Sequence, residues 1–340
     1  MKDVSDIVFE RSQIRAIKDF ELDSEVPDII PEAIPDNEIW YVTNLGEDGY
    51  VYDLNPVAFD ANVVEHIYEG GKWIIRFDNE LTIIEWPSLT AITSGAVITE
   101  LYLPNTLEIL GNMAADLDIR EFYVPKNLKR IFMPQVSWGD KLERFYGNNV
   151  SEDERCIVVD NELLAFAPAG LEEYTIPKGV VNIGQQAVCS NELKTITIPE
   201  GVDAIEDEAF VRCPNIEYIT LPSSLKQLGG YAFRSSKLKI INGKSKFVSD
   251  DGYSIIHDNY CYGKKYILNY ASAASITSYE IPEGVEAIES YCFFYAENLR
   301  ELTFPSTLSD IASSDSFCGT YNIERIDGPN VLDDDRSYVV

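Results

Sequence analysis

The chain has 340 residues, 45% of them hydrophobic, which is enough to bury a large core. Its formal charge is -30, from 57 acidic and 27 basic residues, and this repels nucleic-acid phosphates and anionic lipid surfaces, so neither is expected as a partner. No apolar run is long enough to span a membrane as a helix, so direct membrane insertion is not expected, and the opening MKDVSDIVFERSQ lacks the basic start and apolar stretch of a signal peptide.

Reading from the N-terminus, residues 19 to 38 (DFELDSEVPDIIPEAIPDNE) hold three prolines among many acids and predict an extended tether. From residue 98 onward the chain repeats itself. Strings of apolar-x-apolar-Pro recur as LYLP ending at Pro104, FYVP at Pro125, YTIP at Pro177, ITIP at Pro199, ITLP at Pro222, YEIP at Pro282 and LTFP at Pro305. Each clear unit continues P-x-x-V/L-x-x-I/L, as in Pro199-Val202-Ile205, Pro222-Leu225-Leu228 and Pro282-Val285-Ile288, followed by Ala209-Phe210, Ala232-Phe233 or Cys292-Phe293. The strings are marked by Leu101, Phe122, Phe145, Tyr174, Ile196, Ile219, Ile241, Tyr279, Leu302 and Ile326, at steps of 21 to 24 residues save two of 29 and 38. A fixed period of this length is the signature of a solenoid, in which no single coil buries enough surface to fold alone. Units 104 to 125 and 125 to 147 depart from the pattern, the second carrying Gln135-Val136 where the small-aromatic pair belongs.

Alternation within Leu193-Lys-Thr-Ile196-Thr-Ile198 predicts a strand with Ile196 and Ile198 inward and Thr195 and Thr197 outward. Stacked coils lay these strands in parallel, and the following proline, lacking an N–H, ends each ladder. Outward residues then fall into two columns: Glu100, Glu121, Glu173, Thr195, Tyr218, Ser278, Glu301, and Tyr102, Tyr123, Thr175, Thr197, Thr220, Glu280, Thr303. Such a face suits a protein or sugar partner; its plain alternative is a solvated sheet whose Thr and Tyr simply favour strands.

The two long steps contain insertions that begin where Gly replaces Pro, at Gly147 and Gly243. After each comes a strand, a polar turn and a second strand, CIVV-DNE-LLAF and YSII-HDNYCYGK-KYIL, which predict hairpins projecting from the solenoid. Residues 325 to 340 repeat the pattern of 144 to 159, so the chain stops inside a further unit. Cys189, Cys213 and Cys292 fall in or beside the recurring apolar segment and read as small buried fillers rather than bridges, and no spacing fits a zinc site, so no metal or cofactor is expected. Only His66 and His257 are available as near-neutral bases; the sharpest catalytic pairing, Cys261 with His257, has no orienting third group in sequence, and no catalytic residue is assigned. Asp250-Asp251 and Asp333-Asp334-Asp335 lack the D-x-D-x-D-G spacing of a calcium loop and read as solvated turns.

The block from about residue 98, with IPEGVDAIEDEAFVRCPNIEYITLP as its clearest unit and Cys213 at the motif's cysteine, resembles the BspA-like leucine-rich repeat proteins of anaerobic bacteria. DNEIWYVT, FDANVV and YEGGKWIIRFDNELTIIEW are similar to the segment preceding such arrays in surface and lipoprotein members. The resemblance implies an α+β to mostly β fold: a leucine-rich repeat solenoid of short parallel strands with projecting hairpins and an N-terminal cap. The expected division is a tether over 1 to 38, a capping module over 39 to 97 and the array over 98 to 340. It further implies a secreted or cell-surface protein, lipid-anchored in some members, that adheres without catalysis to host proteins, other cells or glycans. The candidate face is then Tyr102, Tyr123, Thr175, Thr195, Thr197, Tyr218, Thr220, Glu301 and Thr303. The alternatives are a passive spacer displaying other domains and a glycan-active enzyme.

Overall fold

The structure, a computed structural model, describes residues 34–48, 52–85, 89–91, 95–111, 117–131, 140–234, 236–258, 261 and 263–329. Most of the tether, the Gln135-Val136 segment and Asp333-Asp334-Asp335 lie outside the described residues.

The proline-terminated strings become parallel strands in the register that their spacing dictates. Glu173–Thr175, Thr195–Thr197, Tyr218–Leu221 and Ile240–Gly243 form one ladder, aligning Tyr174, Ile196, Ile219 and Ile241. Ser278–Glu280, Glu301–Thr303 and Arg325–Asp327 form a second, and Glu121–Val124 with Arg144–Gly147 a third. A slip of one residue would turn the fully buried Ile196 and Ile219 out to water, so burial fixes the register. A second wall is built from the two-residue strands after each proline, including Asn182–Ile183, Ala204–Ile205 and Gln227–Leu228, whose Ile183, Ile205 and Leu228 face the core.

The third side has no helix, which decides the fold in favour of mostly β: helical structure among the described residues is limited to short 3-10 turns. The reason lies in the hydrogen bonds of the small-aromatic pairs. The Val188 N–H donates to Ala209 O at 3.1 Å and the Phe210 N–H to Ala232 O at 2.8 Å, each reaching the next coil instead of closing a helical turn. Their rings stack along the same axis, Phe210 on Phe233 at 4.9 Å and Phe293 on Phe317 at 5.2 Å.

The two hairpins do not project, contrary to the expectation from sequence. Cys156–Val159 pairs antiparallel with Glu162–Phe166, whose Glu162 and Leu163 then pair in parallel with Asn182 and Ile183. Ser254–His257 and Tyr266–Tyr270 do the same against Ala287 and Ile288. The second strand of each hairpin therefore takes the place of the short strand in the second wall. Both segments are apolar on both faces: Ile157, Leu163, Ala165 and Ile267 are fully buried, and a free hairpin would leave half of them in water. The first turn closes on Asp160 and Asn161, both at positive φ, as a tight two-residue connection requires.

Each hairpin is spliced in by the same loop. The Phe145 N–H donates to Glu154 O and the Ile241 N–H to Gly252 O, both at 2.8 Å, so the loop supplies the missing neighbour of the strand before it. Within the loops, Ser151 donates to Asp153 and Ser249 to Asp251, each at 2.6 Å. Asp251 also accepts the Tyr253 N–H at 2.9 Å, so its carboxylate closes a turn. Each loop sits beside an inward tyrosine: the Tyr174 hydroxyl donates to Asp153, and the Tyr279 hydroxyl to Ser254, the first residue of the hairpin strand, both at 2.8 Å.

At the N-terminal end, Glu38–Thr43 pairs antiparallel with both Lys72–Phe77 and Ile98–Tyr102. Ile39, Tyr41 and Ile75 are fully buried and run into the same core as Leu101, Leu107 and Phe122. Of the three cysteines expected to be fillers, Cys213 and Cys292 are buried and Cys189 partly so, whereas Cys318 is exposed. Cys156 is also buried, all six thiols are free, and burial pushes Cys156 up to about 12 and Cys189 up to about 11, so both stay protonated.

Neighbouring coils are also clasped at their turns. Glu200 accepts from the N–H and hydroxyl of Ser223 and from the Ser224 N–H, at 2.9 to 3.1 Å. Glu283 accepts in the same way from Ser306. The Ser223 N–H and hydroxyl, then Ser224, hold the Glu200 carboxyl below its usual 4.5. Because the folded value is depressed, the clasp stabilises above the unfolded pKa and fades as pH falls through the folded one. Glu200→Gln is therefore expected to lower the melting temperature slightly at pH 7, the gap from the parent closing below about pH 4; a gap that is constant across a pH series of melts would refute this.

Candidate functional site

The outward columns are interrupted at both hairpins, so the sequence-predicted face is three patches rather than one. The first gathers Tyr102 and Tyr123, whose rings lie 6.4 Å apart and tilted by only 26°. Two residues not anticipated from sequence extend it. Tyr146 stands opposite Tyr123 in the ladder, its ring 5.0 Å away, and Trp40 stands opposite Tyr102 across the antiparallel pair. The result is a row of four half-buried aromatic side chains, one per strand, made of two strand pairs that adjoin at Tyr102 and Tyr123.

Charge is threaded along this row. The Tyr102 hydroxyl donates to Glu100 at 2.8 Å and the Tyr146 hydroxyl to Glu121 at 2.9 Å. Burial first, and the Glu100 carboxylate second, push the Tyr102 hydroxyl well above its ordinary value, so it remains a donor. Arg144 stands near Glu121 at 3.6 Å, and at the other end the Lys72 ammonium lies 3.5 Å from the centre of the Trp40 ring. The patch thus offers aromatic surface, carboxylate acceptors and cationic donors within one strip.

The second patch holds Thr175, Thr197 and Thr220 in one column and Thr195 beside Tyr218 in the other, with Lys239 reaching 5.9 Å from the Tyr218 ring. Glu301 and Thr303 belong to the third patch, beside Ser278, Glu280, Arg325 and Asp327. A signal for Tyr146 exists in the sequence, since it repeats Tyr123 at the 23-residue step. Trp40 has none, because it arrives through an antiparallel strand outside the period.

The other candidates fall outside this face. His66 shares a 2.7 Å hydrogen bond with the Tyr41 hydroxyl and packs against Trp73, and burial holds it below the ordinary histidine value. His257 leans on Phe247 at 4.9 Å and is likewise lowered, by burial and then by Lys246. It lines an open cleft of about 480 Å³ with Glu206, Asp207, Lys226 and Gln227, where the second wall breaks before the hairpin. Cys261 is partly buried against the core. Among the described residues no three His, Cys, Asp or Glu side chains converge as metal ligands.

A model of the BspA type leucine rich repeat region matches in six copies over residues 162–257 and 265–339, half of the chain. Among solved structures, a leucine rich cell surface protein of Faecalibacterium prausnitzii is 20% identical with a TM-score of 0.49, covering 78% of this chain and 77% of that one. The pneumococcal vaccine antigen PcpA is 24% identical with a TM-score of 0.41; 68% of this chain covers half of it. A leucine-rich repeat protein of Eubacterium ventriosum is 19% identical, TM-score 0.42, over 64% and 63% of the two chains. A comparison with curated proteins finds no match. The six matched copies agree with the solenoid and its register, and the chain belongs to the BspA-type leucine-rich repeat proteins.

Proposed function

We propose that this protein recognises a protein or glycan partner at a cell surface, without catalysis, through the outward face of its parallel strands. The observation that carries the reading is the row Trp40, Tyr102, Tyr123 and Tyr146. Two strand pairs, Trp40 with Tyr102 and Tyr123 with Tyr146, meet where the Tyr102 and Tyr123 rings face each other, and the four aromatic side chains present contact surface with little rotamer entropy to lose, the property that enriches such residues at binding sites. Membership of the repeat family supports the location and the non-enzymatic role.

The test is to screen the chain on arrays of extracellular-matrix proteins and glycans and to repeat any hit with Tyr102, Tyr123 and Tyr146 changed together to Ala. Loss of roughly tenfold or more in affinity, at an unchanged melting temperature, is the expected result. Saturable binding that survives the triple change would place recognition elsewhere, and no binding at all would favour a spacer.

A further inference from the structure

A different surface, on the turn side of the last coils, holds a tyrosine in an unusual backbone conformation. Tyr295 has φ +53, a backbone conformation uncommon for a bulky residue. The structure around it explains what that conformation achieves. The Tyr295 N–H donates to Cys318 O at 2.9 Å, drawing the turn onto the next coil. There Gly319 lies directly beneath the ring: a Cβ on Gly319 would meet Cγ, Cδ1 and Cδ2 of Tyr295 at 2.8 to 2.9 Å, all three nearly equally. The ring is therefore seated face-down on a glycine, with Phe294 edge-on beside it at 4.5 Å. Its other face is open, and the residue is 49% exposed.

Tyr321 follows two residues after Gly319 and is 80% exposed. Its neighbours are fixed to the preceding coil: the Ala296 N–H donates to the Thr320 hydroxyl at 3.0 Å and the Asn322 amide to Glu297 O at 2.8 Å. The hydroxyls of Tyr295 and Tyr321 make no hydrogen bond among the described residues. Several other tyrosine hydroxyls are engaged internally, as at Tyr102, Tyr146, Tyr174, Tyr279 and Tyr291. Two neighbouring coils thus present an open ring face and two uncommitted hydroxyls, with Glu297 exposed two residues from Tyr295 and Glu324, which faces Arg300 at 3.8 Å, exposed three residues from Tyr321.

We infer that Tyr295 and Tyr321 form a subsite for a neutral sugar, one pyranose ring stacking its C–H face on Tyr295 while its hydroxyls bond to Tyr321 and the flanking carboxylates. Size favours a sugar over a protein partner. The two side chains expose roughly 250 Å² together, against about 800 Å² per partner in a stable protein interface. Charge favours a neutral sugar over an acidic one, because the chain carries -30 overall. This site is separate from the strand face and does not depend on it.

Titration with cellobiose, maltose and lactose, followed by calorimetry and by the aromatic NMR signals, tests it. At least one disaccharide is expected to bind saturably in the millimolar range, with Tyr295→Ala and Tyr321→Ala each weakening it about tenfold. Tyr295→Phe should keep most of the affinity. Gly319→Ala, which lifts the ring from its seat, should weaken binding in a chain that still melts cooperatively. Failure of all three sugars to bind, or an unchanged isotherm in the double Tyr295→Ala, Tyr321→Ala chain, would overturn the assignment. Equal binding of a digalacturonate at low salt would overturn its charge selectivity.

Discussion

Ile205→Asp is expected to destabilise the solenoid by on the order of 4 kcal/mol or more, through a buried unpaired charge added to lost apolar burial. Ile205 is 1% exposed and lies in register between Ile183 and Leu228 of the adjoining coils. A carboxylate there meets aliphatic side chains on both sides, with no cation or hydrogen-bond donor built to receive it. Coil stability depends on its neighbours, so the damage spreads: two interfaces are lost, and the array should melt in two steps or at a much lower temperature. Thr197→Asp, on the outward side of the same coil, is the matching control and should change stability by no more than about 0.5 kcal/mol. Circular-dichroism melts of the two variants decide it. Equal melting temperatures would show the inward assignment to be wrong.

The inward position of Ile205 can be read from its spacing alone, because burial in a solenoid is set by a period and a period is visible in a single chain. The aligned set Tyr174, Ile196, Ile219 and Ile241 follows directly from counting. Outward columns follow by alternation, which puts Tyr102 and Tyr123 on one face and brings Tyr146 within reach of the same reasoning. The interruptions of that face have no such signal. Whether CIVV and LLAF project or return to the wall depends on what their second face meets, and that neighbour, Asn182–Ile183, is supplied by the following coil. Tyr295 shows the same limit: its value as a platform comes from positive φ and from Gly319 in the next coil, neither of which leaves a trace at residue 295 itself.

Gly243→Ala should be among the most damaging single-methyl changes in the chain, for a reason that also explains why glycine replaces proline at each insertion. Gly243 ends the strand Ile240–Gly243 with φ +113, a value closed to proline, whose ring holds φ near about -65°. At ordinary coils proline turns the chain into the second wall. At Gly147 and Gly243 the chain must instead leave the coil's path, and both glycines adopt positive φ. They also pass close to the preceding coil. A Cβ on Gly243 would stand 2.0 Å from Leu221 O and 2.9 Å from Leu221 N and C, all backbone atoms that no rotamer change can move. Gly201 separates the two effects, since it has φ +105 but open space around its would-be Cβ. Gly201→Ala should cost only backbone strain, about 1–3 kcal/mol. Gly243→Ala should cost that plus roughly another 1–3 kcal/mol for forcing two coils apart. Urea titrations of the two variants measure the difference directly. Equal midpoints would mean that the coils part there without penalty, and that the glycine at the insertion points serves the turn alone.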